Sequence, residues 1–389
     1  MKNKITVMHF VSGFTSGGVE QMLYNYCRFM DKDKYEFIIV YQHEPVQDCL
    51  EKMESIPCRA IRITARNENF IKNITDAYKL IKKYKPDIVH AHMNLMNFCA
   101  LLPAKFAGVK IRISHSHIAE KNKSVIYRVM AYICKKLNVW NATALMACGS
   151  EAGYYMYGKN KMEKNQVLII KNAIDLEYYR RDYELRAAFR NELSIDEDTL
   201  LIGHVGRFSE QKNHVRLLQI FKSVKNKRAK SKLLLIGTGE LVEKMKDYAK
   251  TLGIEESVIF YGTTKNMKDV YSAIDVFVMP SLFEGFPVVS VEVQAAMVPS
   301  VFSNTIEPAC KLSNLVRFVS LEESNDRWAD IILQGTEEKK KPELEMLYKA
   351  YDIREKAQEL DHYYISYLKQ INQGLRLQSL HRGSLGLVL

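Results

Sequence analysis

Two glutamates, Glu284 and Glu292, lie where a loop rich in glycine, phenylalanine and proline leads into an apolar segment. Pro287 favours a helix start there, because a residue of the first turn does not need its N–H. We therefore predict that both carboxylates border one pocket at a helix N-terminus, with Glu292 about two turns into the helix. One carboxylate could hold sugar hydroxyls and the other ribose hydroxyls, while free backbone N–H groups bind phosphate. Solvent exposure of both glutamates is the alternative, and the otherwise apolar helix disfavours it.

A pair of cations, Arg207 and Lys212, follows the predicted strand Leu200–Val205. Arg207 stands at the strand end and Lys212 at the start of the next helix, so both are expected at the edge of a sheet where ligands bind. Together they can neutralise a diphosphate, the arginine through its planar fork and the lysine as a point charge. The alternative is a solvated loop with ordinary surface charges.

A glycine pair, Gly17 and Gly18, follows the first predicted strand and opens a helix. Glycine lets the backbone approach a ligand closely, and a helix N-terminus presents N–H groups and a positive dipole to phosphate. The spacing is not Gly-x-Gly-x-x-Gly, and no acidic residue ends the second predicted strand, which argues against a dinucleotide. An ordinary glycine turn is the alternative.

Two His-x-His pairs, His90/His92 and His115/His117, end two predicted strands. Residues i and i+2 of a strand share a face, so either pair could bind a metal. Metal sites usually need a third ligand, and the sequence shows none nearby. We therefore predict no metal, and the general alternative for all four side chains is a buried, hydrogen-bonded histidine.

The elements that must position these residues follow a repeating order. Short apolar strands alternate with amphipathic helical stretches, which predicts an α/β protein with parallel sheets and helices on both faces. The clearest predicted strands are Ile5–Val11, Phe37–Tyr41, Ile88–His90, Ile111–Ser114, Ala144–Cys148, Val167–Ile170, Leu200–Val205, Lys232–Ile236, Val258–Tyr261, Val276–Met279 and Ser300–Phe302.

The strand series pauses in a segment rich in charge and tyrosine. We predict a linker at residues 176–198, between a Rossmann-like domain at 1–175 and a second one at 199–350. A long amphipathic helix at 351–373 and a loose tail at 374–389 complete the predicted organisation.

The net charge of +11 indicates an anionic partner. Zinc-finger spacing, aromatic RNA-binding motifs and an arginine-rich tail are absent from the sequence, so nucleic acid is not expected.

The stretch Lys121–Lys136 carries five cations and no acid, with Ile126, Val129, Met130 and Ile133 at helical spacing. It predicts an amphipathic helix that attaches to anionic lipid. A surface helix with one buried face is the alternative.

Cysteine usage bears on the compartment. The seven cysteines occur singly and form no Cys-x-x-Cys pair, which favours reduced thiols in a cytosolic protein. No uninterrupted apolar run is long enough to span a bilayer. We expect a cytoplasmic protein, peripheral at the inner membrane face if the basic helix binds lipid.

Four motifs together resemble the retaining glycosyltransferase family of GT-B fold (glycosyl transferases group 1, family 4), of the bacterial exopolysaccharide or capsule type. They are Glu284-x7-Glu292, Gly206-Arg207 with Lys212-Asn213, Gly17-Gly18-Val19-Glu20, and Lys171 to Asp175, where Ala173 replaces the family's usual glycine. The resemblance covers about residues 5–370, and Tyr351–Tyr364 is similar to the family's closing helix. It implies two facing Rossmann-like domains and a C-terminal helix that crosses back.

The resemblance also implies roles for individual residues. Arg207 and Lys212 would bind the donor diphosphate, Glu284 the transferred sugar and Glu292 the ribose. His117 matches a histidine that faces donor phosphate and acceptor, which makes His117 and Glu284 the candidate catalytic residues. The family needs no metal or other cofactor. The remaining candidate donor-binding residues are Gly17, Gly18, Gly285, Phe286, Pro287 and Val288.

We therefore predict a glycosyltransferase that uses a nucleotide-sugar donor, a UDP-sugar. The expected acceptor is a saccharide or a polyprenyl-phosphate-linked saccharide in surface polysaccharide biosynthesis. Two alternatives stay open from the sequence. One is a sugar-nucleotide epimerase of the same fold, and the other is a catalytically silent subunit that binds sugar nucleotide or lipid.

Overall fold

The computed structural model of the chain describes residues 4–14, 18–117, 124–284, 286–337 and 341–375. The chain divides into two compact units. The first contains Met1–Ala173 together with Ile353–Leu389, and the second contains Ile174–Asp352. Each unit has one wholly parallel sheet, of seven strands in the first and six in the second. The predicted α/β class with two parallel-sheet domains is confirmed.

The strands are short and strongly apolar, as expected for parallel strands covered on both faces. The first sheet has the order β3-β2-β1-β4-β5-β6-β7 and the second β10-β9-β8-β11-β12-β13. Their bounds are β1 Ile5–Phe10, β2 Tyr35–Tyr41, β3 Cys58–Arg62, β4 Ile88–Ala91, β5 Ile111–Ser116, β6 Ala144–Ala147, β7 Val167–Ile169, β8 Leu200–Val205, β9 Ser231–Ile236, β10 Val258–Gly262, β11 Val276–Met279, β12 Ser300–Ser303 and β13 Val316–Val319.

Helices connect successive parallel strands and bury one face against the sheets. They are α1 Gly18–Phe29, α2 Gln47–Glu54, α3 Phe70–Tyr84, α4 Phe98–Phe106, α5 Val125–Asn141, α6 Ser150–Tyr157, α7 Lys159–Glu163, α8 Leu176–Tyr179, α9 Tyr183–Glu192, α10 His214–Lys227, α11 Val242–Thr251, α12 Met267–Ala273, α13 Val288–Ala295, α14 Asn325–Glu337, α15 Glu345–Tyr351 and α16 Ile353–Asn372. A short 3₁₀ turn, Glu210–Lys212, precedes α10.

The segment predicted to be a linker, residues 176–198, is instead part of the second unit. It forms α8 and α9, and α9 packs on α12 through the buried Phe189. Two arginines of α9 are nearly buried, and Arg186 and Arg190 both donate to the Ala273 carbonyl and ion-pair with Asp275. The charge of this segment and the pause in the strand series predicted a linker, but Arg186 and Arg190 find acceptors inside the unit.

The predicted closing helix is α16, and it belongs to the first unit. Its buried residues Leu360, Tyr364 and Tyr367 join the core formed by β1, β2 and α1. Asp361 accepts a hydrogen bond from the Tyr35 hydroxyl at 2.6 Å. Residues 376–389 of the predicted tail lie outside the described residues.

Two further expectations concern cysteines and membrane-spanning segments. All seven cysteines are free thiols. Within the described part of the chain, no helix combines the length and apolar character that crossing a bilayer requires.

Candidate functional site

The order in which strands are added to the second sheet reverses at β8. From this strand the chain builds outward to β9 and β10, and then returns to add β11, β12 and β13 on the other side. Ligands of open parallel sheets bind beyond the carboxyl ends of the strands at such a switch point. The loops that follow β8 and β11 carry the predicted cations and glutamates, so strand order alone brings them together.

Lys212 and Glu284 form the centre of this region. The Lys212 Nζ atom lies 2.6 Å from Glu284 Oε1, and the two side chains are only 15% and 9% exposed. The surrounding loops are tied together by backbone contacts. Asn213 Nδ2 donates to the Pro280 carbonyl at 3.1 Å, and the Leu282 N–H donates to the Gln211 carbonyl at 2.9 Å. The pair is therefore a fixed part of the unit.

Arg207 lies at the rim of the same region. Its guanidinium is 75% exposed and contacts Glu240 at 3.2 Å, so it is accessible to an anion. The loop after β9 makes this arrangement possible, because Gly237 has a φ of +141° and lies against the backbone of Gly206. A Cβ atom on Gly237 would overlap the Gly206 carbonyl oxygen. Gly237 and Glu240 were missed from sequence, although a Gly-x-Gly-Glu segment directly after a strand was a usable signal.

Glu292 lies on α13 and accepts two tyrosine hydrogen bonds. The Tyr179 hydroxyl donates to Oε1 at 3.0 Å and the Tyr271 hydroxyl donates to Oε2 at 2.7 Å. Burial and the nearby Glu292 carboxylate raise the pKa of both tyrosines, so both keep their protons and act as donors. Glu292 is thus held in place by α8 and α12, and neither tyrosine was predicted to belong to the site.

The other predicted donor-binding residues differ in what their side chains can offer. The Phe286 ring stacks on Tyr351 with 4.9 Å between centroids, which leaves its backbone as the accessible part. Pro287 directly precedes α13, as predicted, and Val288 is its first residue and packs against the same apolar cluster. Gly18 is the exposed first residue of α1. Gly17 and Gly285 lie outside the described residues.

In the first unit, five histidines form one cluster on three adjacent strands, β1, β4 and β5. His9 Nδ1 lies 3.0 Å from His92 Nε2, and His92 Nδ1 lies 3.0 Å from His117 Nε2. His90 Nε2 lies 3.2 Å from His115 Nδ1. The cluster is connected to α16, because His90 Nδ1 is 2.7 Å from the Tyr364 hydroxyl.

The sequence suggested no third ligand near either His-x-His pair, and that inference was wrong. One ring nitrogen from each of His9, His90 and His92 lies within 4.8 Å of the others, and the same holds for His92, His115 and His117. The third histidine comes from a neighbouring strand in each case. Since His9 is far from the pairs in sequence, only the strand order reveals it.

These histidines are neutral at pH 7. Burial lowers the pKa of His9 and of His117 to about 3. Burial, with a further contribution from neighbouring histidines, lowers the pKa of His90, His92 and His115 well below the ordinary value. His117 is the least buried of the five, and its backbone N–H donates a hydrogen bond to Asn94 Oδ1 at 2.7 Å.

The two parallel-sheet units, with cations and carboxylates at a strand-order switch, define a class of two-unit α/β proteins with a candidate anion site. The chain matches the family model Glycosyltransferase Family 4 over residues 16–178 and the model Glycosyl transferases group 1 over residues 186–351. It is 34% identical over 340 residues to EpsF of Bacillus subtilis (strain 168), an alignment that covers 85% of this chain and 87% of EpsF. The chain therefore belongs to this family of glycosyltransferases.

Two more distant proteins are also similar. An Escherichia coli UDP-Gal:alpha-D-GlcNAc-diphosphoundecaprenol alpha-1,3-galactosyltransferase is 24% identical over 325 residues, which cover 80% of this chain and 82% of that enzyme. The crystal structure of Anabaena HepE in complex with UDP superposes with a TM-score of 0.71 at 16% identity, and covers 95% of this chain and 99% of HepE. The predicted GT-B fold is confirmed, and the roles of individual site residues stay predictions.

Proposed function

We propose that this glycosyltransferase moves a sugar from a UDP-sugar donor to a saccharide or polyprenyl-phosphate-linked acceptor in surface polysaccharide biosynthesis. The observation that carries the donor part is the Lys212–Glu284 pair at the strand-order switch of the second unit. The donor nucleotide and the lipid-linked acceptor are supported by the name of the E. coli relative and by the UDP bound to HepE.

In this proposal the cation pair neutralises the donor diphosphate without a metal. Arg207 offers an accessible planar fork, and the Lys212 ammonium has further N–H groups beyond the one directed at Glu284. Because Lys212 is held in place before the donor binds, it stabilises the charge that develops on the leaving diphosphate at little reorganisation cost. No cofactor is required for this step.

Glu284 then binds hydroxyls of the transferred sugar, and Glu292 binds the ribose. An ion-paired carboxylate is better suited to accepting hydrogen bonds than to attacking the sugar carbon, because Lys212 stabilises its negative charge. This favours transfer with retention by front-face attack, as the family resemblance implies. The C1–O bond to the diphosphate breaks, the acceptor oxygen bonds to C1 on the same face, and the acceptor proton passes to the leaving phosphate oxygen. His117 is proposed to face phosphate and acceptor as a neutral ring.

The decisive experiment combines ligand binding with transfer. A panel of UDP-, GDP- and ADP-sugars is screened by thermal shift, and the stabilising donor is used in a transfer assay with a lipid-linked saccharide. We expect Lys212→Ala and Glu284→Gln to reduce transfer by roughly 10²-fold or more, with a folded protein by circular dichroism. The controls Lys244→Ala and Glu255→Gln, which change exposed residues of the same unit, should be unaffected.

Three outcomes would contradict the proposal. Full activity of both site variants would remove the cation–carboxylate assignment. Turnover of the donor alone into another sugar nucleotide would indicate an epimerase. Donor binding without transfer or hydrolysis would indicate a silent binding subunit.

Chelation of Mg²⁺ should leave donor affinity unchanged, because the diphosphate charge is balanced by side chains.

We also propose that α5 attaches the enzyme to an anionic lipid surface at the inner membrane face. The four apolar residues predicted to contact lipid are not buried: Ile126 and Met130 are 76% and 61% exposed, and Val129 and Ile133 are also exposed. Arg128 and Lys136 belong to the same helix, so it combines an apolar surface with positive charge. That combination is typical of helices lying in a membrane interface. Lys121 and Lys123 lie outside the described residues.

Vesicle sedimentation tests this attachment. Binding to vesicles containing phosphatidylglycerol is expected at low salt, with release at high salt because the attraction is screened. The variant Ile126→Ser/Met130→Ser should lose binding, whereas Ile71→Ser, which changes an equally exposed isoleucine on α3, should retain it. Equal binding of both variants, or no binding at any salt concentration, would rule out α5 as the membrane-binding element.

A further inference from the structure

The histidine cluster contains more ring nitrogens than its hydrogen bonds use. Five neutral rings have ten nitrogens, and the four contacts within the cluster and to Tyr364 involve seven of them. The remaining three, His9 Nε2, His115 Nε2 and His117 Nδ1, are buried and have no hydrogen-bond partner among the described residues. Each such nitrogen costs about 1–3 kcal/mol unless something binds it.

We propose that His92, His115 and His117 form a binding site for one divalent transition-metal ion, with Zn²⁺ as the natural occupant. One nitrogen of each ring lies within 4.8 Å of one nitrogen of each of the other two rings. His92 Nδ1 and His117 Nε2 are 3.0 Å apart, close to the separation of roughly 3.3 Å between two nitrogens that bind one tetrahedral zinc at about 2.0–2.1 Å. The third ring, His115, meets only the looser limit of 4.8 Å, so it would move closer when an ion binds.

The outer contacts already orient these rings for coordination. His115 would bind through Nε2, which has no other partner, while its Nδ1–H donates to His90 Nε2 at 3.2 Å. His90 would then donate from Nδ1 to the Tyr364 hydroxyl at 2.7 Å. His92 would bind through Nδ1 and His117 through Nε2, so the metal replaces the hydrogen bond between these two atoms, and His92 would donate from Nε2 to His9 Nδ1. Of the three unpartnered nitrogens, the metal takes up His115 Nε2. Metal-binding histidines characteristically donate their second N–H in this way.

Partial exposure distinguishes this set from the other histidine set. His9, His90 and His92 are all buried, whereas His117 lies at a strand end and is half-buried. Of the three proposed ligands, His117 is thus the only one with appreciable solvent exposure. Imidazole ligands select zinc, cobalt, nickel or copper over magnesium and calcium. All three ligands belong to the first unit, and metal binding is measured without transfer, in which His117 is also proposed to take part.

Metal titration of the full chain tests the site without measuring transfer. Protein purified without a histidine tag and stripped with a chelator is titrated with Co²⁺, then with Zn²⁺. We expect one equivalent of Co²⁺ to bind with visible d–d absorption bands, and Zn²⁺ to displace it. His117→Asn and His92→Asn should each weaken binding at least tenfold, and His362→Asn, which changes an exposed histidine of α16, should not.

The outcomes separate a built site from surface binding. Absence of bound Co²⁺ with visible bands in the wild-type protein would overturn the proposal and leave a hydrogen-bonded array of neutral rings. Binding that survives in both His117→Asn and His92→Asn but weakens in His362→Asn would also overturn it, as adventitious surface binding. The half-buried position of His117 makes its variant the safer one to fold, and circular dichroism checks both.

Discussion

The histidine cluster of the first unit and the Lys212–Glu284 pair of the second unit occupy equivalent places, the carboxyl ends of central parallel strands, but they are built differently. The histidines lie on β1, β4 and β5 or directly after them and are neutral, so the sheet can accommodate them with little exposure. Lys212 and Glu284 are charged and lie in loops, where each compensates the other. An ionised group that is removed from water needs a partner of opposite charge, whereas a buried neutral imidazole needs only hydrogen bonds.

This difference has consequences for what can disturb each region. The first depends on protonation, because a proton on any ring of the cluster would place a charge in the core. The second depends on backbone geometry, because its loops approach each other closely at Gly206, Gly237 and Gly239. Three perturbations separate the two kinds of sensitivity.

Acid should destabilise the first unit more than the second. Five buried histidines of the first unit have a lowered pKa, to about 3 for His9 and His117, and two do in the second, His204 and His214, the latter to about 4. The unfolded chain binds protons near pH 6.5, so stability is complete above that pH and falls as the pH drops toward the folded pKa values. Each histidine contributes about 1.4 kcal/mol per pH unit in that window.

Hydrogen exchange followed by mass spectrometry, in the presence of a chelator, measures this unit by unit. Peptides of β1, β4 and β5 should lose protection at a higher pH than those of β8 and β11. Simultaneous loss in both units would mean that buried histidines do not set the acid sensitivity.

Gly237→Ala should disrupt the second region with an effect of about 3 kcal/mol or more on stability. The added Cβ would overlap the Gly206 carbonyl oxygen, and the φ of +141° is strained for alanine. Donor affinity should fall with it, since Arg207 and Lys212 lie on the displaced loop. Gly18→Ala is the matched change in the first unit, where the added Cβ meets nothing within 4 Å. Chemical denaturation of both variants should show the contrast, and equal stabilities would refute it.

Tyr271→Phe should have the smallest effect of the three. It removes the donor to Glu292 Oε2 and leaves the ring packing in place. A hydrogen bond to a charged group is worth about 1.5 kcal/mol or more, so UDP should bind roughly tenfold more weakly. Isothermal titration with UDP checks this, with Tyr248→Phe as the control because its hydroxyl contacts Gln219 away from the site. An unchanged UDP affinity would indicate that Glu292 does not bind the ribose.

Much of the fold could be read from sequence because buried parallel strands are short apolar runs. The two strands that were missed, β3 and β13, lie at sheet edges and contain arginines, as in Cys-Arg-Ala-Ile-Arg. They lack the continuous apolar pattern because they are only partly covered. The charged segment at 176–198, which was predicted to be a linker, forms α8 and α9 because Asp275 and backbone carbonyls pair with Arg186 and Arg190.

Within the candidate site, loops that follow predicted strands were predictable, and several side-chain contacts between distant segments were not. The Glu284 loop and the start of α13 follow from local motifs. The proximity of His9 to His92, and of Tyr179 and Tyr271 to Glu292, depends on packing between distant segments. Sequence spacing contains no direct record of such contacts.

The return of α16 to the first unit bears on how the protein is made. The second unit is in effect an insertion, entered at Ile174 and left at Asp352. Domains usually fold in order as they emerge from the ribosome, but here the first unit must wait for a helix that is translated after the whole second unit. Until Tyr364 emerges, His90 lacks its hydroxyl partner and the α1 face of the core is uncovered. All of the second unit is translated before α16, so the second unit can be completed before the first.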